Sequence, residues 1–231
     1  MGMHLNYELR LPAHATRDVA MRALSALRHF ARTLSFDTVS ALSTDDAATP
    51  SPRETLQFFA RAIAKPYEDD VPPLTGDPES AIGFFVNPGE GCETATFGLL
   101  KRSDPSGTAV EWFWHCSCKT QYATVVSDAH FVTCHTALTA LLDHAIQLGF
   151  DVVVHDEGHY WETRDVARLL TEVGYMNRLV ARFAGAFNDA VSTPNGPDVN
   201  IEAPIFEHPR FERLEMGERV EIQDEQPPRE G

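Results

Sequence analysis

Side chains able to do chemistry crowd into two stretches of this sequence. The first, Trp112-Phe113-Trp114-His115-Cys116-Ser117-Cys118-Lys119-Thr120-Gln121-Tyr122, joins rings and thiols to a cation and an amide. The second, His155-Asp156-Glu157-Gly158-His159-Tyr160-Trp161 followed by Arg164, holds two imidazoles, two carboxylates and a guanidinium. An imidazole beside carboxylates is the material of proton transfer, so His155, Asp156 and Glu157 are candidate catalytic acid and base groups. Lys119 and Arg164 suit an anionic group, and Cys118, Gln121, Tyr122 and Trp161 would complete a polar pocket around it. Cys118 beside a lysine also suggests a nucleophile of lowered pKa, but such a thiol needs a base that the sequence does not locate.

Thiols and imidazoles also bind metals. Cys116 and Cys118, with Cys134 and His135 on a following helix, could supply four ligands to zinc. Structural zinc is usually gripped by C-x-x-C knuckles in turns, whereas C-x-C on a strand splays its sulfurs. Small buried thiols packing a core are the competing reading, and no cofactor is expected. His155 and His159 have the i, i+4 spacing of the H-E-x-x-H zinc helix, yet the glutamate is third rather than second and Gly158 interrupts the segment. Neither G-x-x-x-x-G-K-[ST] nor G-x-G-x-x-G occurs, so Pro88-Gly89-Glu90-Gly91 reads as a turn that could assist the site rather than as a nucleotide loop.

Periodicity supplies the elements that must position these groups. Leu5, Tyr7, Leu9 and Leu11 alternate with polar residues, the pattern of a strand with one buried face, and Pro12 ends it. Thr16 caps a helix whose apolar stripe runs from Ala20 to Leu34, and Phe36 to Leu42 reads as a second strand. Ser51-Pro52-Arg53-Glu54 has capping-box spacing and predicts a short helix to about Ala64. A proline-rich connector then leads to a hairpin, with strands over 81–86 and 94–100. Large rings at both Trp112/Trp114 and Phe113 predict that the strand over 112–122 is central and covered on both faces. Phe131, Cys134, His135, Leu138, Leu141, Leu142 and Ala145 form one helical stripe that Gly149 closes. A buried-type strand over 150–154 leads into the second polar stretch, after which Thr163 caps a helix reaching Phe187.

Leu34-Ser35-Phe36-Asp37-Thr38-Val39 parallels Leu148-Gly149-Phe150-Asp151-Val152-Val153 at equivalent helix-to-strand junctions. The expected architecture is a single α/β domain over 1–192: a mixed sheet of about six strands with flanking helices, built from two strand-helix-strand-helix units (3–66 and 109–190) joined by a hairpin over 80–100. Residues 193–231 read as an extended or disordered acidic tail. Polar groups leaving the ends of strands 112–122 and 150–155 would then form one pocket, provided both strands end on the same side of the sheet.

Composition bounds the function classes. Against 19 basic side chains stand 34 acidic ones, a net charge of −15, which argues against binding nucleic acid. The tail holds ten acids and four bases, a net of −6, so the first 192 residues carry −9. The N-terminus lacks the basic segment and apolar core of a secretory leader, and no window approaches about 18 uninterrupted apolar residues. A cytoplasmic protein with no membrane association and with reduced thiols at Cys92, Cys116, Cys118 and Cys134 is expected. Two functions follow. One is binding of a small polar or anionic ligand, with or without acid-base catalysis; the other is an acidic interaction protein, of inhibitor or toxin-immunity type, that neutralises a basic partner.

Four segments carry a resemblance: Pro88-Gly89-Glu90-Gly91-Cys92-Glu93; Cys118-Lys119-Thr120-Gln121-Tyr122-Ala123; Cys134-His135 with Leu141-Leu142-Asp143; and Asp156-Glu157-Gly158-His159-Tyr160-Trp161-Glu162 followed by Arg164-Asp165. In these the chain resembles a family of uncharacterised bacterial proteins found in myxobacteria and actinobacteria. The likeness spans roughly residues 5–190 and leaves out the acidic tail. It implies a common fold and a common site, without naming a chemistry. His159 stands where the family pattern has a second glycine.

Overall fold

The computed structural model describes residues 2–12, 14–44, 80–103, 110–191 and 204–216. The helix expected over 51–64 and most of the proline-rich connector lie outside them. Among the described residues seven strands form one sheet: β1 (His4–Leu11), β2 (Thr38–Val39), β3 (Ser43–Thr44), β4 (Ser80–Asn87), β5 (Ala95–Ser103), β6 (Val110–Lys119) and β7 (Asp151–Asp156). Their order is β2-β4-β5-β6-β1-β7, with β3 also paired to β4. Helices α1 (Arg17–Ala31), α2 (Asp128–Gln147), α3 (Tyr160–Thr163), α4 (Val166–Val191) and α5 (Phe211–Glu215) accompany it. No helix among the described residues is long and apolar enough to cross a membrane.

The α/β class, the single sheet and the flanking helices are as the residue pattern predicts. The pairing differs, because every ladder among the described residues is antiparallel. β6 and β7 do run in the same direction with α2 between them in sequence, as a strand-helix-strand unit requires. β1, from the other end of the chain, inserts between them and pairs with both. The first crossover differs again: after α1 the chain passes β6, β5 and β4 before it reaches β2. The two proposed repeat units therefore do not stand as adjacent equivalents.

Local chemistry accounts for the elements. Leu5, Tyr7, Leu9 and Leu11 face the core while Asn6, Glu8 and Arg10 face outward. Thr16 caps α1 by accepting from the Val19 N–H, and Ala20, Leu24, Leu27 and Ala31 form its buried stripe. Ser127 caps α2 by accepting from the His130 N–H. Of the expected strand over 36–42 only Thr38–Val39 is realised, as β2; the Ser40 hydroxyl then accepts from the Phe85 N–H, and β3, which pairs with β4 next, lies just beyond Leu42. The helix start expected at Thr163 falls two residues later: Asp165 Oδ1 accepts from the Ala167 and Arg168 N–H groups, so the carboxylate is the cap.

Helices α1 and α2 lie on one face of the sheet. Leu24, Leu27, Leu138, Leu141 and Leu142 pack there against Leu5, Tyr7, Leu9, Trp112 and Trp114 in one cluster. Each of the large rings removes roughly 2–3 kcal/mol worth of apolar surface from water. Both indole N–H groups are satisfied, Trp112 by the Ala15 carbonyl at 2.9 Å and Trp114 by the Thr96 carbonyl at 3.0 Å. β6 is interior to the sheet, and among the described residues helices cover one of its faces. Phe113, His115 and Ser117 point away from the helices and keep some exposure, and the Arg10 guanidinium lies 5.2 Å from the Phe113 ring centroid. The Arg10 guanidinium stacked on that ring contributes cover over Phe113 on this face.

Part of the acidic tail is folded. Pro204–Glu207 forms a 3-10 turn and Phe211–Glu215 a helix, and Ile205 and Leu214 are buried against Val180, Ala181 and Ala184 of α4. Arg210 pairs with Asp128 at 3.1 Å. Four apolar residues, Ile205, Phe206, Phe211 and Leu214, give this segment enough surface to bury despite its charge. The remainder of 192–231 lies outside the described residues.

Candidate functional site

Because β6 and β7 both run antiparallel to β1, their C-terminal ends come out on the same side of the sheet, flanking the start of β1. The two polar stretches are thus brought together, as a common site requires. The strand alternation then decides which side chain points where. Asp156 turns toward the helices, whereas His155 turns to the opposite, exposed face, so these neighbours in sequence cannot act as a pair.

Asp156 meets His135 instead. The His135 Nε2 lies 3.1 Å from Asp156 Oδ2, and its Nδ1 lies 3.0 Å from the Thr120 hydroxyl. Nε2–H donates to the Asp156 carboxylate, and Nδ1 shares the second hydrogen bond with the Thr120 hydroxyl. Asp156 also accepts from the Gly158 N–H at 2.7 Å and the Trp161 N–H at 2.8 Å, which ties the strand end to the turn and to α3. Burial by itself raises a carboxyl pKa; here the hydrogen bond and attraction of His135, with the two backbone donors, outweigh it and hold Asp156 below its ordinary value. Hydroxyl, imidazole and carboxylate in series are the parts of a nucleophilic triad. Thr120 and His135 have no exposed surface and Asp156 has 1%, so no substrate atom has access to the hydroxyl.

Gln121 is also fully buried. Its Oε1 accepts from the Met3 N–H at 2.8 Å, and its Nε2 donates to Asn177 Oδ1 at 2.8 Å. Asn177 Nδ2 donates to the Thr124 hydroxyl, which donates to the Gln121 carbonyl. One amide side chain therefore joins the N-terminus, the turn after β6 and helix α4. Gln121→Leu keeps the volume but leaves a buried N–H and a buried amide oxygen without partners. It is expected to lower stability by about 2–3 kcal/mol, and a chemical-denaturation midpoint equal to wild type would refute this assignment.

The remaining candidates sit at or near the surface. Glu157 accepts from the His4 N–H at 2.7 Å. Lys119 Nζ lies 5.5 Å from the Tyr122 ring centroid, and the Tyr122 phenol is pushed up by burial and by Glu93. Arg164 pairs with Asp143 on α2 at 2.7 Å and lies over Trp161 with 4.5 Å to the ring centroid, on the outside of the molecule. His159 has φ 55 and Arg164 φ 57, and these left-handed residues bracket α3. A glycine occupies such a position without a Cβ penalty. His159→Gly is expected to be neutral or stabilising by up to about 1 kcal/mol, read from the melting temperature.

The zinc set does not assemble. Among the described residues no group of three or more His, Cys, Asp or Glu side chains is disposed to hold a metal. Cys118 donates to the Glu93 carbonyl at 3.2 Å, Cys134 to the Pro88 carbonyl at 3.2 Å, and both His135 nitrogens are engaged. Cys118 is also no activated nucleophile, since burial raises its thiol well above its ordinary value.

The Pro88–Glu93 turn does join the site. Glu93 caps the end of β6 by accepting from the Lys119 N–H at 3.0 Å, and Cys92 packs beside Cys134 and Phe131. Two participants escaped the residue reading: Thr120 and Asn177. Asn177 left a trace, since it falls on the buried phase of α4 between Val173 and Val180, where an apolar residue would be routine. Cys92 lies in the turn expected to assist the site, but the residues it packs against are distant in sequence. Comparison with family models, with curated proteins and with solved structures gives no match.

Proposed function

We propose that this chain is an acidic interaction protein that binds a basic partner, in the manner of an inhibitor or a toxin-immunity protein. The observation that carries this reading is the division of polar groups at the strand ends. Thr120, Gln121, His135 and Asp156 are buried and bonded to one another or to the backbone, so they hold the fold together. Asp37, Glu90, Glu93 and Glu157, from three loops at the same end of the sheet, are exposed or partly exposed. A rigid frame that presents carboxylates, on a chain of net charge −15, favours fast capture of a cationic surface. Affinity chromatography of a native-host lysate should retain a basic protein at low salt and release it at high salt. Asp37→Asn, Glu90→Gln and Glu93→Gln combined should abolish retention. No partner at either salt, or retention unchanged in the triple variant, would overturn the reading.

A second reading, a small anionic ligand, is supported by the convergence of the β6 and β7 ends with Lys119 and Tyr122 partly exposed there. Thermal-shift measurements with phosphate and dicarboxylates separate the two. Stabilisation that disappears in Lys119→Met supports the ligand, and none in wild type removes it.

A further inference from the structure

We infer that the edge strand β7 is a self-association surface: two copies of this chain pair antiparallel along Asp151–Asp156 and join their sheets about a two-fold axis at Val153. On one side β7 pairs with β1, and among the described residues no strand pairs with its other side. An unpaired edge is a template for another strand, and proteins commonly blunt it with a proline, a lysine or a bulge. Asp151-Val152-Val153-Val154-His155-Asp156 has none of these. It presents three consecutive β-branched residues, of which Val153 is 53% exposed and Val152 and Val154 are half-buried.

The backbone decides which residues can bond to a second strand. The Glu157 N–H donates to the His4 carbonyl at 3.2 Å, in register with the β1–β7 ladder. Because bonded and non-bonded pairs alternate along an antiparallel ladder, His155, Val153 and Asp151 also turn their backbone groups toward β1. Val152 and Val154 turn theirs outward. A two-fold axis at Val153 sets Val152 of each copy opposite the partner's Val154, so every outward N–H and carbonyl of these two residues meets its complement. A slip of one residue would set outward groups against inward ones and break the ladder.

The side chains select the same register. Asp151, Val153 and His155 lie on the exposed face, and pairing about Val153 places Asp151 opposite the partner's His155 and Val153 opposite its own copy. Carboxylate meets imidazole at both ends of the contact. Moving the axis to Val152 or Val154 keeps the ladder but sets Asp151 or His155 against a valine. On a chain of net charge −15, a contact that opposes no two carboxylates is the one self-repulsion penalises least. Antiparallel pairing also sends the loops that carry Asp37, Glu90, Glu93 and Glu157 to opposite ends of the joined sheet. They stay open to a basic partner, so this inference stands apart from that reading.

Sedimentation equilibrium of the full-length protein at about 100 μM should give the mass of two chains. Val153→Lys changes an exposed side chain and opposes two cations at the axis, and should raise the dissociation constant at least about 100-fold. His155→Glu opposes carboxylates at both ends and should raise it about tenfold. Cysteine reads the register. Facing residues of a non-bonded pair lie about 4.5 Å apart, within disulfide reach, so Val153→Cys should link to its own copy under oxidised glutathione. Asp151→Cys, roughly 14 Å from its own copy, should link only when mixed with His155→Cys, the linked peptides being identified by mass spectrometry. Any mass other than two chains, a dimer unchanged in Val153→Lys, or self-linkage of Asp151→Cys overturns the inference. So does a dimer lost in Phe183→Glu but kept in Val153→Lys, which would assign the contact to the exposed rings of α4. The wild-type mass needs no variant to fold.

Discussion

Replacing Asp156 with alanine is expected to lower the folding free energy by about 3–5 kcal/mol, measured as a shift of the urea midpoint at neutral pH. The carboxylate accepts from three donors that have nowhere else to turn: His135 Nε2, the Gly158 N–H and the Trp161 N–H. Its side chain has no exposed surface, so water does not replace it without opening the strand end. The same group makes stability depend on pH. Its folded pKa lies below the unfolded value of about 3.9, so its contribution is fully present above that value. The contribution is lost as pH falls through the lower, folded value. Wild-type protein should therefore lose stability steeply below about pH 4, and Asp156→Ala should lose the share of that slope due to this group. A double cycle with His135→Ala separates the pair from the backbone donors: the interaction energy should exceed about 1 kcal/mol. Additive losses would mean that Asp156 acts on the turn alone.

This network explains why the fold was more legible than the site. Strand β1, helix α1 with its Thr16 cap, helix α2 and its Gly149 end each follow from a local rule read over ten to twenty neighbouring residues. Pairing depends on nothing local. That β1 would slip between β6 and β7 depends on which edge buries Leu5, Tyr7, Leu9 and Leu11 most completely, a comparison over the whole molecule. The tail misled for the reverse reason, since its charge obscured four apolar residues that dock on α4.

At the site, the residue types were legible and their partners were not. Gln121 and Asp156 carry the same functional groups whether they face a ligand or another side chain; the difference lies in Met3, Asn177 and His135, which arrive from 118, 56 and 21 positions away. The direction of alternation in β7 was the one usable clue. With Val152 and Val154 inward, Asp156 must follow them and His155 must face out, which already separates the supposed acid-base pair.

Gly91→Ala is expected to destabilise by about 3 kcal/mol, although the residue is exposed and contributes no side chain. Two costs combine. Its φ of 78 is left-handed, where a Cβ costs roughly 1–2 kcal/mol. The Cβ would also lie 2.7 Å from Ala123 N and closer still to the Tyr122 carbonyl, and these are backbone atoms that no rotamer change can withdraw. Relief would require the Pro88–Glu93 turn to lift from the segment after β6, releasing the Glu93 contact to the Lys119 N–H and the packing of Cys92 on the cluster that holds Phe131 and Cys134. Gly149 supplies the control. Its φ of 89 is equally left-handed, but nothing lies within 4 Å of a Cβ built there. Gly149→Ala should therefore lose only the conformational share, about 1 kcal/mol. The difference between the two variants measures the close seating of the turn against Tyr122 and Ala123. Equal losses would mean that the turn is free to move and does not hold Glu90, Cys92 and Glu93 in place.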